Sequence, residues 1–194
     1  NWQGNAYAGN VTVEEPDDPT APLLFTIPPD YIAANMELNN ASSLKRFPVT
    51  YTLVTNEGEL TSDALKLRIQ PVPPGGYHPA FCDDAESNGE LSKKKLVTDP
   101  NIVLPVWPFM AVGNTVTLKV TGMLTTGVTY ERTIRDAVKV EVDDVKEGMV
   151  VATVPLADVK NLKSDTDLHL WATISFDDGE SFHVLPNGRV MIRD

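Results

Sequence analysis

One pattern occurs twice in the chain, and a chain that repeats itself at this spacing is built from repeated modules. The segment Phe25-Thr26-Ile27-Pro28-Pro29-Asp30-Tyr31-Ile32 returns as Ala152-Thr153-Val154-Pro155-Leu156-Ala157-Asp158-Val159. A strand-turn unit follows each copy, Tyr51–Glu59 in the first and Ala172–Glu180 in the second. Each copy closes on an alternating run, Leu65-Lys66-Leu67-Arg68-Ile69 and Arg189-Val190-Met191-Ile192-Arg193. Equivalent residues lie about 121 to 127 positions apart, so the copies are collinear with small indels. A repeat of that length is a whole domain, not one turn of a solenoid.

The composition agrees with an all-β chain. Fifteen prolines and twelve glycines fall in short clusters, which supply the many turns such a chain needs. The apolar fraction of 42% is ordinary for a packed domain, and about 100 residues per unit can bury a core of their own. No stretch approaches the ~20 apolar residues that cross a bilayer. Asn1-Trp2-Gln3-Gly4 has neither the basic region nor the apolar core of a signal peptide, so an internal fragment or a mature product is expected. A net charge of −11 opposes nucleic acid and anionic lipid, because phosphate recognition needs a surplus of Lys and Arg. Lys93-Lys94-Lys95 is too short to reverse that and reads as a solvated loop or strand edge.

Period-two alternation and β-branched content predict strands at Asn10–Val13, Leu23–Ile27, Phe47–Thr55 and Ala64–Ile69. In the second part they predict Ile102–Val106, Thr115–Thr121, Val138–Val142, Met149–Val154, His169–Phe176 and Gly188–Arg193. Turns are expected at Asn56-Glu57-Gly58, Val112-Gly113-Asn114, Asp177-Asp178-Gly179 and Asn187-Gly188, where glycine supplies positive φ. Helix is limited to single turns at Tyr31–Asn35 and Leu156–Leu162, each after a proline start. Pro71-Val72-Pro73-Pro74-Gly75-Gly76 withholds backbone donors and marks the boundary between a first module, residues 1–70, and a second, residues 71–194.

The copies are unequal. Asn1-Trp2-Gln3-Gly4 aligns with Lys119-Val120-Thr121-Gly122, so the first copy is expected to start in mid-domain and to lack its N-terminal strands. The expectation is an incomplete sandwich with an open edge, completed by a neighbouring chain.

Val106-Trp107-Pro108-Phe109-Met110-Ala111-Val112-Gly113-Asn114, running into Thr115-Val116-Thr117-Leu118, resembles the opening of bacterial Ig-like repeat modules. Ile27-Pro28-Pro29-Asp30-Tyr31-Ile32-Ala33-Ala34-Asn35 and Tyr51-Thr52-Leu53-Val54-Thr55 are similar to the closing parts of the same modules. The second copy departs from the Ala-Ala-Asn element with Val159-Lys160-Asn161, and the likeness is weakest between Tyr77 and Pro100. The resemblance implies tandem Ig-like antiparallel β-sandwiches in a large exported surface protein of a Gram-negative bacterium, extracellular or on the cell surface and adhesin-like. It implies neighbouring repeats of the same polypeptide as partners, and it carries no catalytic residue.

The residues themselves offer no enzyme. Cys82 is the single cysteine, so it forms no internal disulfide, and His78 beside Pro79 is a poor base for it. His78, His169 and His183 have no metal-ligand spacing. Ser175 and Ser181 lie near His183 without a nucleophile elbow, and the carboxylate pairs Asp143-Asp144 and Asp177-Asp178 lie in turns without an aromatic platform. No cofactor is implied. Calcium is the one candidate cation, with Asp83, Asp84 and Glu86 near the module boundary as its ligands; Glu14, Glu15, Asp17 and Asp18 form a second acidic cluster. Two roles follow. One is a non-catalytic spacer or presenting module. The other is recognition of a glycan or host surface protein by loops at one sandwich end, with Trp107, Tyr77 and Tyr130 as ring contacts. Trp171, between Leu170 and Ala172, is expected in the core or an interface.

Overall fold

The structure is a computed structural model and describes residues 26–38 and 46–194. It divides into two units between Pro71 and Val72. The fold is mostly β with antiparallel sheets. The three helices among the described residues have six residues each.

In the first unit, helix α1 (Pro29–Ala34) starts where Pro28 and Pro29 preset φ and Tyr31 N–H bonds the Pro28 carbonyl at 3.1 Å. It buries Ala33 and Ala34. Strand β1 (Phe47–Val49) pairs with β4 (Leu65–Leu67), and β2 (Thr52–Thr55) pairs with β3 (Gly58–Thr61) across the expected Asn56-Glu57 turn. Gly58 sits at φ +131°, a conformation closed to other residues. Behind the helix, Glu37 N–H reaches the Ile69 carbonyl at 3.1 Å, and buried Glu37 takes a two-pronged bond from Arg68 at 2.9 and 2.7 Å. The strand expected at Asn10–Val13, residues 23–25 of the next one and the Glu14–Asp18 cluster lie outside the described residues. Thr26 and Ile27 are not strand.

The second unit runs β5 (Phe81–Cys82), β6 (Glu90–Ser92), β7 (Asn101–Pro105), β8 (Thr115–Met123), β9 (Thr129–Lys139), α2 (Val142–Glu147), β10 (Met149–Thr153), α3 (Leu156–Asn161), β11 (Thr166–Ser175), β12 (His183–Val184) and β13 (Gly188–Arg193). One sheet has the order β10-β7-β5; the other has β6-β13-β11-β8-β9, with β12 also on β11. All pairs are antiparallel except β6 with β13. The arrangement is sandwich-like. Alternate residues of the strands are buried: Val116, Leu118 and Val120 on β8, Leu168, Leu170 and Ile174 on β11, with Leu104 and Val150 on the smaller sheet. Each such side chain contributes roughly 1.5–3 kcal/mol by leaving water.

The two units share strand register. Phe47 faces Leu67, Pro48 faces Lys66 and Val49 faces Leu65, as Leu168 faces Val190, His169 faces Arg189 and Leu170 faces Gly188. Thr52 faces Thr61 and Leu53 faces Leu60, as Thr173 faces Val184 and Ile174 faces His183. Strands β1 and β2 together thus correspond to β11, β3 to β12, β4 to β13 and α1 to α3. In the second unit Asp165 N–H likewise reaches the Ile192 carbonyl at 2.8 Å, but the arginine paired with that carboxylate, Arg193, follows the carbonyl residue, whereas Arg68 precedes Ile69.

Three expectations change. The strand expected at Val138–Val142 is the tail of β9, and the chain turns helical at Val142. Glu141 and Asp144 form a capping box that starts α2, and Gly148 at φ +69° ends it. The Asn187-Gly188 turn is absent, because Gly188 is the first residue of β13. Lys93 is not a solvated side chain: its ammonium donates to the Leu162 carbonyl at 3.0 Å and pairs with Asp194 at 2.9 Å.

Candidate functional site

The loops 106–114, 140–148 and 176–182 meet at one end of the second unit. The ladders require it: β7 and β9 end there, β8 and β10 begin there, and Ser175 at the close of β11 faces Thr115 at the opening of β8. Backbone bonds tie the loops together, from Val106 N–H to the Gly148 carbonyl at 2.8 Å and from Gly113 N–H to the Val140 carbonyl at 3.0 Å. Lys139 on β9 reaches Asp178 at 3.1 Å.

This end exposes apolar side chains among charged ones such as Glu141, Asp143, Lys146, Glu147 and Asp178. Val106, Phe109, Val112, Val142, Val145 and Phe182 are all exposed. Phe109 is the most constrained. It follows Pro108 in a turn closed by Met110 N–H to the Trp107 carbonyl at 3.1 Å, and its φ is +65°. A proline then a positive-φ residue is a type II turn, a place glycine or asparagine normally takes. A phenylalanine held there stores strain, as do Ala137, Asp165 and Asp178 at positive φ elsewhere in the unit.

Beneath the loops lies a polar anchor. Asp177 is fully buried; its carboxylate accepts from Ser175 Oγ at 2.7 Å, Ser181 N–H at 2.9 Å and Ser181 Oγ at 2.6 Å. Ser175 Oγ in turn accepts from Gly179 N–H at 2.9 Å. The carboxylate ties the 176–182 loop to the end of β11. His183 is buried with its ring edge-on to Phe176 at 5.2 Å. The spacing Ser-x-Asp-x-x-x-Ser was in the sequence and is the signal that could have found this anchor.

Of the residues expected as ring contacts, Trp107 and Tyr130 lie at opposite ends of the unit. Trp107 is 3% exposed and Tyr77 6%, so neither offers a ring face to a sugar. Burial pushes the Tyr77 phenol up to about 12. Trp107 Nε1 and Tyr77 Oη are buried without a hydrogen-bond partner among the described residues. Tyr130 stands at the opposite end from Trp107, at the start of β9; its hydroxyl donates to Asp158 at 2.9 Å, an oxygen that Arg132 also holds at 2.7 Å. Desolvation, then that carboxylate, raises its pKa. Trp171 is outside the core: the residue is 39% exposed, with Nε1 donating to Thr121 Oγ1 at 2.9 Å.

The acidic triad also has other duties. Asp84 accepts from Asn101 N–H at 2.7 Å and Glu86 pairs with Lys95 at 2.6 Å, while Asp83 N–H donates to the Asn101 carbonyl at 3.0 Å. Among the described residues no group of three or more His, Cys, Asp or Glu is placed to hold a metal ion. Among them, too, no helix is long and apolar enough to cross a membrane. No family model matches the chain, and no curated protein matches it.

Proposed function

We propose that the chain is a non-catalytic pair of tandem Ig-like modules from an exported bacterial surface protein, spacing or presenting other domains. One observation supports this reading: the strands β1, β2, β3 and β4 pair in the same register as β11, β12 and β13. Fold likeness on its own assigns no ligand. The partners in this reading are neighbouring repeats of the same polypeptide, at the cell surface or outside it.

The exposed Val106, Phe109, Val112 and Phe182 favour a second reading, in which this loop end docks a host protein or glycan. A broad array of glycans and host surface proteins separates the two. Silence is expected of a spacer. Saturable binding abolished by Phe109→Ala, with the fold retained, would transfer the function to the loop end.

A further inference from the structure

The larger sheet of the second unit carries an exposed indole. Along β11 burial alternates: Leu168, Leu170, Ala172 and Ile174 are buried, while His169 and Trp171, on the opposite face of the strand, are exposed. The register fixes the neighbours of that indole. Lys119 of β8 stands directly opposite Trp171, and Thr121, opposite His169, is its diagonal neighbour on the same face. Trp171 Nε1 donates to Thr121 Oγ1 at 2.9 Å. Diagonal positions lie about 7–8 Å apart, so an indole that reaches Thr121 lies along the sheet instead of standing out from it. A ring held this way turns a broad face to solvent, and its orientation is set before any ligand arrives.

The charges around the ring are already paired. Lys119 pairs with Glu131 of β9 at 2.6 Å, and Arg189 of β13, opposite His169, pairs with Asp167 at 3.6 Å. Two cations and two anions leave this patch formally neutral on a chain of net charge −11.

We propose that Trp171 is the stacking platform of a subsite for a neutral saccharide. A pyranose has the two surfaces this patch complements: an apolar C–H face that packs on an indole, and hydroxyls that pair with Thr121, His169 and the Lys119–Glu131 ion pair. A neutral patch adds no attraction for sulfated or uronic sugars, and the acidic remainder of the chain repels them. Neighbouring strands step by about 4.8 Å, close to the length of one sugar residue, so the row Arg189, His169, Thr121 and Glu131 matches an oligosaccharide laid across the strands. A proline-rich peptide would instead call for a groove lined by several aromatic rings. One stacked ring supports binding in the millimolar range, too weak to survive the washing of an array, so the subsite is compatible with a spacer that is silent there.

The test is a solution titration of the whole chain with soluble neutral hexasaccharides of glucose, of mannose and of N-acetylglucosamine, followed by amide and indole N–H chemical shifts. Saturable shifts are expected with at least one of the three, at the Trp171 indole and at residues 119–121 and 169–173, and not at 106–114. Trp171→Ala should abolish them with the fold retained. Thr121→Val, which releases the indole, should weaken binding about threefold or more, while Trp171→Tyr should keep part of it. Added salt should leave the affinity unchanged. Should Trp171→Ala not fold, the Thr121→Val and Trp171→Tyr comparison decides. No saturable shift with any of the three sugars, undiminished binding by the Trp171 and Thr121 variants, shifts confined to 106–114, or tighter binding of a sulfated hexasaccharide would overturn the proposal. So would capture of a host protein that is lost in Trp171→Ala while no sugar binds, which would make the face a protein contact. The array turns on Phe109 and the titration on Trp171, so the two readings fail separately.

Discussion

Gly188 lies against the backbone of Ala80: a Cβ built on Gly188 would overlap the Ala80 carbonyl oxygen. The same Cβ would sit 3.3 Å from Leu170 Cβ on the neighbouring strand. Glycine is required here by close approach and not by a turn.

Gly188→Ala should therefore destabilise the second unit by about 3 kcal/mol or more, because neither the carbonyl nor the β11 backbone can withdraw. Gly127→Ala is the comparison. That position opens into space but has φ +82°, so only the conformational penalty of about 1 kcal/mol applies. Urea midpoints of the two variants measure the difference, and equal midpoints would contradict the close approach.

Asp177→Ala should cost about 2–4 kcal/mol, since it strands Ser175 Oγ and the Ser181 N–H and Oγ in a buried loop. Ser181→Ala should cost less, as the carboxylate keeps Ser175 Oγ. A double-mutant cycle between Asp177 and Ser181 should show coupling; additive losses would mean that the anchor does not act as a unit.

Cys82 is buried, and desolvation pushes its thiol up from 9.0 to about 11. The folded chain should resist thiol reagents at pH 8 and react once unfolded. The linkage has one sign. The unfolded thiol ionises first, so the stability this group contributes is complete below pH 9.0 and is lost as pH rises toward 11. Tyr77 adds the same trend one step higher, between 10.0 and about 12. Denaturant midpoints measured from pH 8 to pH 11 should fall, and the thiol's share of that fall should vanish in Cys82→Ala.

The acid limb has the opposite sign. Arg193 holds the Glu90 carboxyl below its ordinary 4.5 through a hydrogen bond, with Coulomb attraction adding to it. Ser164 and then Lys93 do the same for Asp194, ordinarily 3.8. These pairs stabilise the fold above those values and are lost as pH falls below them. Both carboxylates are solvated, so the effect should be small and weakened by salt. Glu90→Gln should flatten the acid limb of the stability profile at low ionic strength; an unchanged limb would show that the pair contributes nothing.

What the sequence revealed and concealed follows from which strands alternate. β8 and β13 were legible because each puts every second side chain into the core, and the expected Gly188–Arg193 strand is β13 as observed. β9 went unread though it is eleven residues long. It is an edge strand whose Glu131, Arg132, Thr133 and Asp136 face water, and a bulge near Ala137 at φ +46° breaks its period. The capping box of α2 was present in the letters, but Val138-Lys139-Val140-Glu141-Val142 alternates well enough to hide it. The candidate site was concealed for a different reason. An exposed Phe109 and a buried Trp107 two residues apart carry the same hydrophobic signature, and only the turn geometry decides which one faces out.

The parallel pair of β6 and β13 has a mechanical consequence. Glu90–Ser92 and Gly188–Arg193 run side by side in one direction, with Arg193 clamped to Glu90 at 2.6 Å. Tension applied between Glu90 and Arg193 would draw the two strands along their common axis in opposite senses. Their ladder would then be sheared, with all its hydrogen bonds sharing the load together. A hairpin pulled from its open end would instead unzip one bond at a time. In a chain under tension, this pair would act as a rivet at the close of the unit.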